Sequence, residues 1–368
     1  MTVRPSATLV ANEDIERRRR AGERILHLAF GEAGLPVHPA LRERLMAASG
    51  RNGYGPVAGA PELREAAAGY WTRRGLRTSP DQVISGPGSK SLLYGVLLAL
   101  GGDVVLPKPS WVSYAAQAEL IGARSLLLPV PKGEGGVPDP DLIAEAVQNA
   151  RRQGRTVSSI LLTLPDNPTG RLATPATIRR IVEVARELDL IIISDEIYRD
   201  LVYDPAATPF LSPADLAPER TIVTTGLSKS LALGGWRIGM ARLPDDMSGF
   251  AAGTTDLRTK LLAVASEIWS APAAPVQQAA AYAFTEPPEL LQRIDQSRRL
   301  HSTVALAVHA RFEAAGATVA RPQGAFYMYP DLGHLGLGRV AHPTRLGQDD
   351  VAAEREQHGV QQGLAAWA

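Results

Sequence analysis

The 368-residue chain contains no cysteine. That excludes disulfides, thiolate metal sites and a cysteine nucleophile. It also lacks a dominant charge: Lys plus Arg is 39 and Asp plus Glu is 38. Nothing in that balance points to nucleic acid or an anionic membrane. No run approaches the roughly 20 apolar residues of a membrane span. The basic run Arg17 to Arg20 follows Glu13, Asp14 and Glu16 with no apolar segment after it, so the N-terminus does not read as a signal peptide. An RNA-binding patch is one reading of that run. The acids before it at helical spacing favour the solvated face of a first helix. The expectation is a cytoplasmic enzyme with no membrane or nucleic-acid partner.

What is present is a large reserve of apolar sequence, 45% of residues against 21% charged, ample for one large core and a smaller domain. There is no internal repeat and no low-complexity linker. Between about 80 and 245 short apolar runs alternate with amphipathic stretches. Strands are expected at 82–86, 103–107, 125–130, 158–165, 190–194, 221–226 and 237–243, with helices at 91–100, 114–122 and 178–189. Apolar runs bounded by Gly or Pro, with helices between them, predict an α/β fold whose sheet is covered on both faces. Residues 289–316 read as one long amphipathic helix and 317–331 as a strand pair. The tail after about 332 has little strand signal, with room for one helix near 349–357. The expected division is an N-terminal segment, 1–45, packed with the small domain; a large domain, 46–287; and a small α+β domain, 288–368, truncated or divergent after about 332.

In open α/β sheets ligands bind at the carboxyl ends of strands, and four such ends are distinctive. Gly86-Pro87-Gly88-Ser89-Lys90-Ser91 joins a strand to a helix, where free N–H groups suit a phosphate; a purely structural turn is the plain alternative. The spacing is not that of a P-loop. Leu164-Pro165-Asp166-Asn167-Pro168-Thr169-Gly170 is a tight turn, in which the Asn167 amide is a candidate donor to a ligand. Ser194-Asp195-Glu196-Ile197-Tyr198 follows three isoleucines, so Asp195 should face a cation or a donor, in a ligand or in an ordinary ion pair. Thr225-Gly226-Leu227-Ser228-Lys229-Ser230 places a lysine just past a strand. Most loop lysines are surface residues, but a desolvated one has a lowered pKa and forms Schiff bases. Arg237 follows eight positions on.

Taken together, DNPTG, SDEIY, GLSKS and GGWRIG resemble the aminotransferases of class I/II, fold type I. NGYGPVAGAPELREA at 52–66 and PKPSWVSY at 107–114 are similar to two further segments of that family. The resemblance runs from about 28 to 331 with the motifs in family order. It implies the fold type I architecture, with a mostly parallel sheet in a large domain plus a smaller α+β domain, and pyridoxal 5'-phosphate as cofactor. It further implies that Lys229 carries the cofactor as a Schiff base and then moves the proton. Asp195 would pair with the ring nitrogen, and Asn167 and Tyr198 would bond the ring 3-oxygen. Trp111 would stack on the ring. Ser89, Lys90, Ser228 and Arg237 would hold the phosphate, with Tyr54 reaching it from the neighbouring subunit of a homodimer. Gly31, in FGEAGLP, would offer its backbone to the substrate carboxylate, beside Trp111 and Asn167. The reaction expected is amino transfer between an L-amino acid and a 2-oxo acid.

The chain departs from that family at its end. The arginine that binds the substrate α-carboxylate, in a Leu-Arg-Leu-like strand, is not found. Arg339, Arg345 and Arg355 are the only later arginines, none in a strand-like context. A β-eliminating lyase on the same cofactor, or a catalytically impaired binder of it, therefore stay open. A nicotinamide dehydrogenase is disfavoured, since no GxGxxG follows a strand with an acid about 20 residues on. A transcription regulator would need a DNA-binding domain ahead of the motifs, and only about 28 residues precede them.

Overall fold

A computed structural model describes residues 7–28, 31–245 and 257–333. Seven strands form one sheet: β1 Val83–Gly86, β2 Asp103–Lys108, β3 Ser125–Pro129, β4 Val157–Thr163, β5 Ile191–Asp195, β6 Thr221–Gly226 and β7 Gly239–Arg242. Their order across the sheet is β1-β7-β6-β5-β4-β2-β3. β7 runs antiparallel to both its neighbours, and the pairs from β6 to β3 are parallel. The expected mostly parallel sheet is therefore present, each strand within a residue or two of its predicted place.

The central strands β4, β5 and β6 are buried along their whole length because both faces are covered. On β4 and β5 the side chains alternate: Leu161, Ile191 and Ile193 join one core layer, while Ile160, Leu162 and Ile192 join the opposite one, as the two-residue period requires. The first layer is closed by α4 Ser89–Leu100, α5 Val112–Leu120 and α8 Leu257–Ile268. The second is closed by α6 Pro140–Arg152 and α7 Pro175–Glu187. Near β1 and β7, α2 Pro39–Ala47, α3 Pro61–Arg73 and α9 Ala274–Phe284 complete it around Trp71 and Phe284. Caps set the helix starts. Asp139 accepts from Asp141 N ahead of α6 and Thr174 from Thr177 N ahead of α7, each followed by proline at the first helical position, where a missing N–H costs nothing.

The first helix, α1 Ala7–Arg20, settles the arginine run. Arg17 pairs with Asp14, Arg18 with Glu23 and Arg19 with Glu16, the solvated, internally neutralised face that the acid spacing predicted. At the other end α10 Pro288–Ala314 is the long helix expected at 289–316.

The strand pair expected at 317–331 is a correction. That segment makes only single antiparallel bridges, Thr318 to Asp331 and Gly324 to Val202. Pro322 and Pro330 donate nothing to a ladder, and the backbone N–H groups of Gln323 and Gly324 go to Gly170 O instead. The helix expected near 349–357 and Arg339, Arg345 and Arg355 lie outside the described residues. No helix among the described residues is long and apolar enough to cross a membrane.

Candidate active site

The carboxyl ends of β4, β5 and β6, side by side in the sheet, bring the predicted residues into one place. Asp195 ends β5, with Thr163 of β4 and Thr224 of β6 in register on either side. It is 3% exposed. Tyr114 Oη donates to its Oδ2 at 2.9 Å and Thr224 Oγ1 to its Oδ1 at 3.1 Å. Both donors are neutral, and no Lys, Arg or His nitrogen among the described residues comes within ion-pair distance. Burial pushes the carboxyl up to about 6, against the pull of those hydrogen bonds and of Lys229. Tyr114 is itself held by Thr163 Oγ1 at 2.8 Å, so the carboxylate sits at the end of a short buried relay.

Lys229 lies three residues past the end of β6. Its Nζ donates to Gly31 O at 2.5 Å and lies 5.7 Å from the Tyr198 ring centroid. Burial lowers its pKa to about 8, with Asp195 and Glu32 pulling upward and Arg237 and Lys90 downward. The amine is thus poised for nucleophilic work near neutrality.

Those two further cations mark the mouth of the site. Lys90 is lowered by burial and by Arg237, and its Nζ stands 4.9 Å over the Trp111 ring. Ser89 opens α4 behind Gly88, whose φ of 86° suits only glycine. A Cβ at Gly88 would collide with the Arg237 guanidinium. One at Gly239 would collide with Ser89 N, so bare backbone there lets the helix N-terminus sit against the strand. Lys90 and Lys229, each lowered in part by the Arg237 charge, thus stand with Arg237 near the N-terminus of α4, an arrangement of the kind that suits an anion. Ser228 is buried next to Lys229.

Trp111 caps α5 and meets Tyr114 edge-to-face at 5.2 Å. Asn167 is half-buried in the turn after β4, without a hydrogen-bond partner among the described residues. Its neighbour Asp166 is fully buried and pushed by burial up to about 7. Asp166 Oδ2 accepts from Thr169, and its Oδ1 has no partner among the described residues. Tyr198 is buried, its hydroxyl 2.6 Å from that of Tyr327. Tyr54 alone is not brought in: it is 98% exposed on the loop before α3.

Sequence reasoning passed over Tyr114, Thr224, Glu32 and Tyr327. Tyr114 had a signal, since it lies three residues after Trp111 on one helix face. The clefts at the amino ends of β2 and β4 and along α10 gather no comparable set of groups.

The comparisons with known proteins decide the family. The description aminotransferase class I and II matches residues 25–360, past the last clear motif at 331. The chain belongs to the aminotransferase class I and II family. A probable aspartate/prephenate aminotransferase of Thermus aquaticus is 31% identical over 95% of this chain and 88% of its own length. An aspartate aminotransferase of Geobacillus stearothermophilus is 30% identical over 89% of this chain and 80% of its own. Among solved structures, aspartate aminotransferase from Thermus thermophilus with maleate has a TM-score of 0.79 at 29% identity, covering 89% of this chain and 83% of that one. The fold is of the aspartate aminotransferase kind, and this class I/II aminotransferase is an enzyme that transfers amino groups.

Proposed function

We propose that this aminotransferase moves the amino group between an L-amino acid and a 2-oxo acid on pyridoxal 5'-phosphate held by Lys229. We also propose that it does so in a homodimer whose sites share Tyr54. The observation that carries the reading is a buried carboxylate, Asp195, in ion-pair contact with no cation among the described residues and coupled only at longer range to the desolvated amine of Lys229. A protonated ring nitrogen would satisfy the first and an aldehyde the second. The cation cluster at the start of α4 matches a phosphate. The residues present fit the group.

Bound there, the cofactor supplies a sink for the electron pair left when the substrate Cα–H bond breaks. The chain's own residues do the rest. Lys229 Nζ would hold the cofactor and, as a free amine, would serve as the base for the substrate Cα proton and the acid that gives it back. Asp195 keeps the ring nitrogen protonated, and the Tyr114 and Thr224 hydrogen bonds aim it. Tyr198 and Asn167 donate to the ring oxygen. Trp111 would pack against the ring and exclude water. Ser89, Lys90, Ser228 and Arg237 anchor the phosphate with the N-terminus of α4. Gly31 presents its backbone to the substrate carboxylate.

The named relatives put aspartate first among donors to test. Mixing the loaded enzyme with a single L-amino acid and no acceptor should release one 2-oxo acid per subunit, without ammonia. Continued release of oxo acid together with ammonia would overturn transfer in favour of elimination.

A further inference from the structure

We propose that Tyr327 is a positioning residue for the transfer: its hydroxyl donates to the Tyr198 hydroxyl and so sets how strongly Tyr198 donates to the cofactor's ring oxygen. The proposal rests on the reading that Tyr198 meets that oxygen. The two hydroxyls lie 2.6 Å apart, with the rings edge-to-face at 5.5 Å. Tyr327 is confined from the other side as well. A Cβ at Gly31 would collide with its hydroxyl, so the phenol is wedged between Tyr198 and the N-terminal segment. The Gly31 carbonyl beside it already accepts from Lys229.

The backbone that carries Tyr327 is tied to the two loops that carry Asn167 and Tyr198. Gln323 N and Gly324 N donate to Gly170 O, in the turn that bears Asn167. Ala325 N donates to Leu201 O, and Tyr203 N to Gln323 O, just after Tyr198. The pairing of the two phenols is therefore built into the fold and does not depend on a free rotamer.

A phenol has one proton to give and lone pairs to receive. If Tyr198 gives its proton to the ring oxygen, the short contact can only be made with Tyr327 as donor. A hydroxyl that accepts becomes a better donor, because bonds in a chain polarise one another. Burial holds both phenols above their ordinary pKa, so both keep their protons. The titratable groups facing the pair are Asp195 on both phenols, Tyr114 on Tyr198 and Lys229, whose Nζ stands 5.7 Å from the Tyr198 ring.

Removing the Tyr327 hydroxyl leaves Tyr198 a weaker donor. More negative charge then stays on the ring oxygen, and the proton on the adjoining Lys229 nitrogen is held more tightly. The experiment is a spectrophotometric pH titration of the lysine-linked cofactor in the wild-type holoenzyme, Tyr327→Phe, Tyr198→Phe and the double variant. Tyr327→Phe should move the midpoint up by roughly 0.1–0.7 pH unit, a 10–30% loss of one charge-assisted bond. Tyr198→Phe should move it further, and the double variant should match Tyr198→Phe. A midpoint unmoved in Tyr327→Phe while Tyr198→Phe moves it would overturn the proposal alone. So would a Tyr327→Phe shift that persists without the Tyr198 hydroxyl. A midpoint unmoved in Tyr198→Phe would remove the underlying reading and the proposal with it.

Discussion

Replacing Asp195 by asparagine should stabilise the apoprotein while disabling the enzyme. Asp195 is 3% exposed, and burial lifts its carboxyl from 3.8 to about 6. The folded chain therefore binds this proton more tightly than the unfolded chain does. Stability contributed by the group is fully present below about pH 3.8 and is lost as pH rises through about 6. A rise of that size corresponds to about 3 kcal/mol, of which about 2 kcal/mol develops between about pH 4.5 and about pH 8. Asparagine does not titrate, can still accept from one of Thr224 and Tyr114, and can donate to the other. Urea unfolding of apo wild type and apo Asp195→Asn at those two pH values is the assay. The variant's stability relative to wild type should rise by about 2 kcal/mol from the lower pH to the higher. Adding cofactor should remove that pH dependence from wild type only, since only a carboxylate gains from a ring cation. A difference between the two proteins that is the same at both pH values would refute the idea of an unpaired buried charge.

Other perturbations probe the remaining parts. Because Lys229 is lowered to about 8, capture of cofactor by apoprotein should accelerate about tenfold per pH unit below that value and level off above it, as followed by stopped-flow absorbance. Gly88→Ala forces a side chain into a φ of 86° against Arg237; at about 1–3 kcal/mol it should loosen cofactor binding roughly 5- to 150-fold, measured by equilibrium dialysis. Tyr54→Ala and Lys229→Ala subunits, each impaired alone, should regain about a quarter of wild-type activity when refolded together, since half the dimers would hold one complete site; no gain over the separate variants would argue against a shared site.

The sheet was readable because its central strands are buried on both faces. IIIS in β5 and SSILLT in β4 carry apolar residues on both faces and no charged residue, so they stand out as buried runs. The long helix α10 announced itself by length and period. The segment 317–331 misled because its apolar aromatics resemble a strand, while Phe326 and Tyr327 pack instead on Tyr198 at the edge of the site. Asp195, Lys229 and Arg237 could be picked out because each stands at a strand end, where sequence position alone gives location. Their partners could not be found that way. Tyr114 reaches Asp195 across 81 positions, and Tyr327 reaches Tyr198 across 129; such pairs exist only once the strands are ordered. The nearly full exposure of Tyr54 was equally illegible, since it belongs to the surface of the folded chain.

The central claim is that Lys229 carries the cofactor. The direct measurement is borohydride reduction of the holoprotein, proteolysis and mass spectrometry of the peptides. A phosphopyridoxyl group is expected on Lys229, in the peptide that includes Ser228 and Ser230, and none in Lys229→Ala. A reduced adduct on Lys90 or any other lysine, with Lys229 unmodified, would contradict it.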